Sequence, residues 1–161
     1  MIVLIMGVSG SGKSTVAGMV AESLGADYLD ADDFHPPANV AKMTRGYPLT
    51  DDDRIPWLRA VNARLRQLQQ SGSDAVLACS ALTQRYRDML TQGLDTVYTI
   101  CLHGSPETIA QRIASRKGHF MPPALLQSQL DTLEIPSEAL LLDIELPTSS
   151  ISKKIIDYLL T

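Results

Sequence analysis

Apolar positions along the chain come in two patterns that alternate from one end to the other. Unbroken apolar runs of strand length occupy residues 1–6 (MIVLIM) and 75–79 (AVLAC), and largely apolar stretches of the same length occupy 96–102 (TVYTICL) and 141–146 (LLDIEL). A shorter extended stretch, 27–30 (DYLD), follows a helix stop at Gly25. Continuous apolar strands suit a sheet covered on both faces. Between the runs, apolar residues recur at helical spacing: Val16, Met19, Val20 and Leu24, then Trp57, Leu58, Val61, Leu65 and Leu68, then Ile109 and Ile113, and finally Ile151, Ile155, Ile156 and Leu159. Further helices are predicted from Pro36 through Val40 and Met43, over 83–92 and over 124–133.

The punctuation agrees with these elements. Thr50 before three aspartates and Ser105 before Pro106 read as helix N-caps, and Pro56 falls in a first turn. Gly46, the 71–73 Ser-Gly-Ser, Gly93 and Pro147 read as stops. Strands alternating with helices over the whole length predict an α/β, three-layer sandwich: five parallel strands with helices on both faces. Residues 1–161 read as a single domain, large enough for a sizeable core. In such a sheet, ligands bind beyond the carboxyl ends of the strands.

The first strand leads into Gly7-Val8-Ser9-Gly10-Ser11-Gly12-Lys13-Ser14, which fills every fixed position of G-x-x-x-x-G-K-[ST]. Strand before and helix after make this a phosphate-binding P-loop of the NTPase type. Glycines let successive N–H groups turn inward, and the following helix adds its positive end. The loop and Thr15 are therefore expected to bind ATP, with Lys13 on the β- and γ-phosphates and Ser14 on Mg²⁺. Strand three ends without an acid (LACS), and no N-K-x-D guanine signature is present. The carboxylates at a strand end are Asp30, Asp32 and Asp33. On an extended segment Asp30 and Asp32 point the same way. Asp30 is assigned to the Mg²⁺ neighbourhood and Asp32 to the proton of an attacking hydroxyl. The plainer alternative is an acidic cap for the helix at Pro36.

Arg112 and Arg116 lie one helical turn apart, just before the 117–123 loop. A helix–loop–helix lid over about 112–133 is expected, with Arg116 reaching the phosphates and Arg112 stacking on adenine opposite Pro147; a solvated helix face is the alternative. Arg54, Arg85, Arg87, His35, Lys42 and His119 form a basic set suited to an anionic substrate.

Charge narrows the partners. Net charge is −4, which argues against nucleic acid and acidic membranes. The apolar start is too short to span a membrane and lacks a basic leader, so a cytoplasmic protein is expected. Cys79 and Cys101 sit in apolar strands and read as reduced core thiols.

Taken together, residues 7–15, 30–37 (DADDFHPP), 48–58 (PLTDDDRIPWL), 79–82 (CSAL), 86–88 (YRD), 118–122 (GHFMP), 126–129 (LQSQ) and 132–134 (TLE) resemble the gluconokinase family, small P-loop kinases related to shikimate kinase. The resemblance implies ATP-dependent phosphorylation of the 6-hydroxyl of D-gluconate to 6-phospho-D-gluconate, a mobile lid and a homodimer. It implies that Asp32 is the base near the 6-hydroxyl and that Arg54, Arg87, His119 and Gln129 are candidate gluconate contacts. On the residue reading, Lys13 and Arg116 join Asp32 as catalytic residues, and Asp32 and His35 join the gluconate side. One departure stands out: Thr83 occupies a place where the family pattern has lysine, with Arg85 two residues on. The competing readings are a shikimate or nucleoside monophosphate kinase and, in another class, a nucleotide-dependent regulatory switch.

Overall fold

Strand β1 (Ile2–Met6) is buried along its whole length and paired on both sides. The computed structural model describes residues 1–115 and 123–161. After β1 come α1 (Lys13–Leu24), β2 (Asp27–Asp30), a 3₁₀ turn (Ala31–Phe34), α2 (Pro37–Thr44), α3 (Asp51–Gln70), β3 (Ala75–Ala78) and α4 (Gln84–Thr91). Then follow β4 (Val97–His103), α5 (Pro106–Ala114), α6 (Pro123–Thr132), β5 (Leu140–Asp143) and α7 (Thr148–Leu159). The five strands are parallel in the order β2-β3-β1-β4-β5, with Ile2 opposite Ala75 on one side and Val97 on the other.

The two-residue period of the strands divides the core into two layers. Val3, Ile5, Val76, Ile100 and Leu102 face α1, α5 and α7 through Val16, Val20, Ile109, Ile151 and Ile155. Ile2, Leu4, Met6, Leu77 and Cys101 face α3 and α4 through Trp57, Leu58, Val61, Leu65, Tyr86 and Leu90. Each fully buried aliphatic side chain contributes about 1.5–3 kcal/mol. Both layers are therefore needed to hold β1, from whose end the P-loop starts. Cys79 and Cys101 are free and buried, and burial pushes the Cys79 thiol up to about 12. Asn62 is the polar exception on the inner face of α3. Its amide donates to Leu90 O (2.8 Å) and Gln92 O (2.9 Å), which ties α3 to the end of α4.

Several boundaries differ from the sequence reading. Strand β5 ends at Asp143 rather than 146, because the Asp143 side chain accepts the Glu145 N–H (2.8 Å) and its carbonyl accepts that of Leu146 (3.2 Å), closing a turn. Pro147 is then the N-cap of α7, which starts at Thr148 rather than 151. Pro56 lies inside α3, one turn beyond its expected place. The α3 start itself is a full capping box: Thr50 Oγ1 accepts the Asp53 N–H (3.1 Å) and Asp53 Oδ2 accepts the Thr50 N–H (2.8 Å).

Candidate active site

The P-loop curls where the backbone has room only for glycine. A Cβ at Gly7 would lie 2.7 Å from Ser11 Oγ and 2.8 Å from the Leu102 carbonyl, and one at Gly10 would lie 2.7 Å from Ile113 Cγ1. Gly12 is the N-cap of α1 and has no side chain to bond the first-turn N–H groups. Ser11 is 1% exposed, and its Oγ has no hydrogen-bond partner among the described residues. Val8 is buried, whereas Ser14 and Thr15 face outward at the start of α1. A tight cradle, donors at a helix start and an orphaned hydroxyl fit the polyphosphate of a nucleotide.

Asp30 is the junction between this loop and the rest of the site. Its carboxylate accepts Ser14 Oγ–H (3.2 Å), Tyr28 O–H (3.4 Å) and the Asp32 N–H (3.0 Å). The last bond corrects the sequence reading. The chain does not stay extended after Asp30 but turns at Ala31 into the 3₁₀ turn, with Asp30 as its cap. Asp30 and Asp32 are neighbours because of a turn, not because of strand alternation. The acidic cap exists too, on this turn rather than on α2. Asp32 has its pKa raised above the ordinary carboxylate value, first by burial and then by Asp30, against the pull of Lys13 and His35. Those four groups therefore share one electrostatic neighbourhood.

On the far side of Asp32, His35 stacks on Trp57 at 4.2 Å between centroids. Burial lowers its pKa; Asp32 acts against this and Arg54 with it. Arg54 lies 5.2 Å over the Tyr86 ring and donates to Tyr86 Oη (3.1 Å), and that hydroxyl donates to Asp51. Arg85 pairs with Asp51 at 3.2 Å on the open side, and Lys42 pairs with Asp53 at 2.6 Å. Arg87 points inward: it is 5% exposed and donates to Ala81 O (2.7 Å) and Gln84 Oε1 (3.2 Å). It braces a strained turn, since Ala81 has φ 46°, unusual for a residue with a side chain.

Near the nucleotide end, Arg112 donates to the Ile144 carbonyl and lies over Gly12. Pro147 is exposed at the start of α7. Gln129 on α6 sits against the P-loop: its Oε1 accepts the Ser9 N–H (2.8 Å) and its Nε2 donates to Ser9 Oγ (3.2 Å). Arg116 and His119 lie outside the described residues. The structure thus gathers Lys13, Ser14, Asp30, Asp32, His35 and Arg54 about one end of the sheet, and places Arg87 in the interior and Gln129 on the P-loop. Sequence reasoning passed over Asn39 and Tyr86, which orient His35 and Arg54. His35 lies ahead of α2 on extended backbone, so its contact with Asn39 comes from the chain's entry into the helix and not from helical spacing.

The comparisons agree with this geometry. A family model described as an AAA domain matches residues 2–136. A probable gluconokinase of Dictyostelium discoideum is 41% identical over 172 residues, covering 99% of this chain and 86% of its own. The chain belongs to the gluconokinase family. The crystal structure of a gluconokinase from Sinorhizobium meliloti 1021 superposes with a TM-score of 0.85 at 44% identity, covering 94% of this chain and 87% of that one. An unliganded sugar kinase from Janibacter sp. HTCC2649 gives a TM-score of 0.91 at 44% identity, covering 98% and 93%. Within this gluconokinase-family fold, Thr83 serves the backbone, since its hydroxyl accepts the Tyr86 N–H (3.2 Å) and caps α4. A lysine there could not make that cap, and Arg85, two residues on, already faces Asp51.

Proposed function

We propose that this chain is an ATP-dependent gluconokinase that phosphorylates the 6-hydroxyl of D-gluconate to 6-phospho-D-gluconate. The observation that carries the reading is the placement of Asp32: its N–H is bound by Asp30, whose carboxylate also accepts the hydroxyl of the P-loop residue Ser14, which sets Asp32 at the mouth of the loop. In the transfer, a bond forms between the acceptor oxygen and the γ-phosphorus, and the bond from that phosphorus to the β–γ bridging oxygen breaks. Asp32 takes the hydroxyl proton, which phosphoryl transfer needs late and weakly. Lys13 and the loop N–H groups hold the transferring charge. Ser14, oriented by Asp30, would hold Mg²⁺, which supplies charge neutralisation when bound.

Gluconate contacts are proposed for His35, which interacts with Asp32, for Arg54, whose charge acts on His35, and for His119 and Gln129. Arg116 is proposed as the cation on the transferring phosphate, and Arg112 with Pro147 as the adenine side. Arg87 is proposed to act on gluconate through the turn it braces rather than by touching it. Residues 1–161 as one kinase domain, with a lid over about 112–133, complete the scheme. Residence in the cytoplasm as a homodimer and the absence of nucleic-acid or membrane partners belong to the same reading; it is supported by the family resemblance, and no described helix is long and apolar enough to cross a membrane.

ADP release measured with D-gluconate, other aldonates, shikimate, nucleoside monophosphates and water tests the reading. Gluconate-dependent ADP release with matching 6-phosphogluconate is expected. Release stimulated by shikimate or a nucleotide but by no aldonate would replace it with another metabolite kinase, and slow hydrolysis with no acceptor would favour a switch.

A further inference from the structure

We propose that Asn39 is a positioning residue that fixes the tautomer of His35, so that the imidazole presents a neutral Nε2–H donor to the acceptor substrate. Asn39 is 4% exposed, and its Nδ2 lies 2.9 Å from Asp53 O, an atom that can only accept. This bond decides which end of the amide is nitrogen. The same nitrogen lies 3.3 Å from His35 Nδ1 and has only a hydrogen to offer it. Nδ1 must therefore carry the lone pair, and in a neutral ring the proton is then on Nε2. Nε2 is on the ring edge turned away from Asn39.

Every member of this chain of contacts is held in turn. Asp53 is fixed by the capping box and by Lys42. The ring plane of His35 is fixed by Trp57, whose Nε1–H donates to Ala31 O (2.6 Å). That same contact holds the turn bearing Asp32. Protonating His35 would set two N–H groups against each other at Asn39. Burial and Arg54 also oppose the cation, and among the described residues Asp32 is the charged group that favours it. A neutral donor can bind a hydroxyl or carboxylate oxygen of the acceptor without forming an ion pair that would tie up Asp32. This last step rests on the kinase reading given above; the tautomer does not.

The test is ¹⁵N imidazole NMR of the full-length protein without ligands. The chain has three histidines, and the spectrum of His35→Gln assigns the one that matters. At pH 8, His35 is expected as a single Nε2–H tautomer. In Asn39→Ala the resonances should move to a tautomer mixture, and the titration midpoint should rise toward the ordinary value of about 6.5. The KM for gluconate should rise roughly three- to tenfold with little change in kcat or in the KM for ATP. In Asn39→Asp, which can only accept, the proton should move to Nδ1. An Nδ1–H or mixed tautomer in the wild-type protein overturns the inference, and that measurement needs no variant to fold. So does a folded Asn39→Ala with unchanged His35 resonances. A wild-type protein with the expected tautomer but no aldonate-dependent activity would instead sink the kinase reading and leave the tautomer standing.

Discussion

Ser14 and Asp30 meet across 3.2 Å, the first from the start of α1 and the second from the end of β2, with β3 between their strands in the sheet. A serine hydroxyl has one hydrogen and two lone pairs. Giving the hydrogen to Asp30 leaves both lone pairs for a cation, so in the proposed Mg²⁺ site the carboxylate would aim Ser14 without having to be a ligand itself. Removing that charge while keeping its shape, with Asp30→Asn, should raise the Mg²⁺ concentration needed for half-maximal activity by roughly ten- to a hundredfold. Activity measured against free Mg²⁺ checks this, and an unchanged requirement removes Asp30 from the role.

Two glycines should respond in opposite directions to alanine. Gly104 joins β4 to α5, and a Cβ there would sit 2.5 Å from Cγ1 of the fully buried Ile144. With no room for Ile144 to retreat, Gly104→Ala should cost about 1–3 kcal/mol. Gly18 lies within α1, and among the described residues nothing comes within 4 Å of the added carbon. Gly18→Ala should stabilise by up to about 1 kcal/mol, because alanine is the better helix former. Thermal unfolding decides both, at roughly 2–4 °C per kcal/mol for a chain of this size.

Acid should weaken the fold through Asp53. The hydrogen bond from Lys42, then that from the Thr50 N–H, holds its carboxyl down to about 2 against an ordinary 3.8. The unfolded chain thus takes up this proton before the folded one does. The stabilisation is complete above about pH 4 and is lost as pH falls through the folded value near 2. Asp53→Asn should be less stable than the wild-type protein at pH 6, and the gap should narrow as pH falls toward 2. Urea unfolding across that range measures it; a gap independent of pH would show that the charge on Asp53 contributes nothing.

The fold was legible because its signals are local. The 1–6 run, the P-loop and the Thr50 and Ser105 caps each announce themselves within a few residues, and strand–helix alternation does the rest. What escaped depends on residues far apart in the chain. The turn at Ala31, which upset the strand geometry expected of Asp30 and Asp32, is held by Trp57, 26 positions away. Trp57 was visible only as part of an apolar face. Gln129 meets Ser9 across 120 positions, so its place on the P-loop left no trace in any window of sequence. Arg87 looked like one more basic residue after a strand; only the packing of α4 shows that it braces Ala81.

The strand order has a consequence for biosynthesis. β1 lies at the centre of the sheet, yet neither neighbour is the strand that follows it: its partners are β3, with Ile2 opposite Ala75, and β4, with Ile2 opposite Val97. At ordinary translation speeds, the 73 positions from Ile2 to Ala75 take roughly 4–15 s to synthesise. For that interval the most apolar segment of the chain is outside the ribosome with both edges unpaired, open to chaperones and to other nascent chains. The strand that bears the nucleotide loop is made before both of its partners and seated only when they arrive.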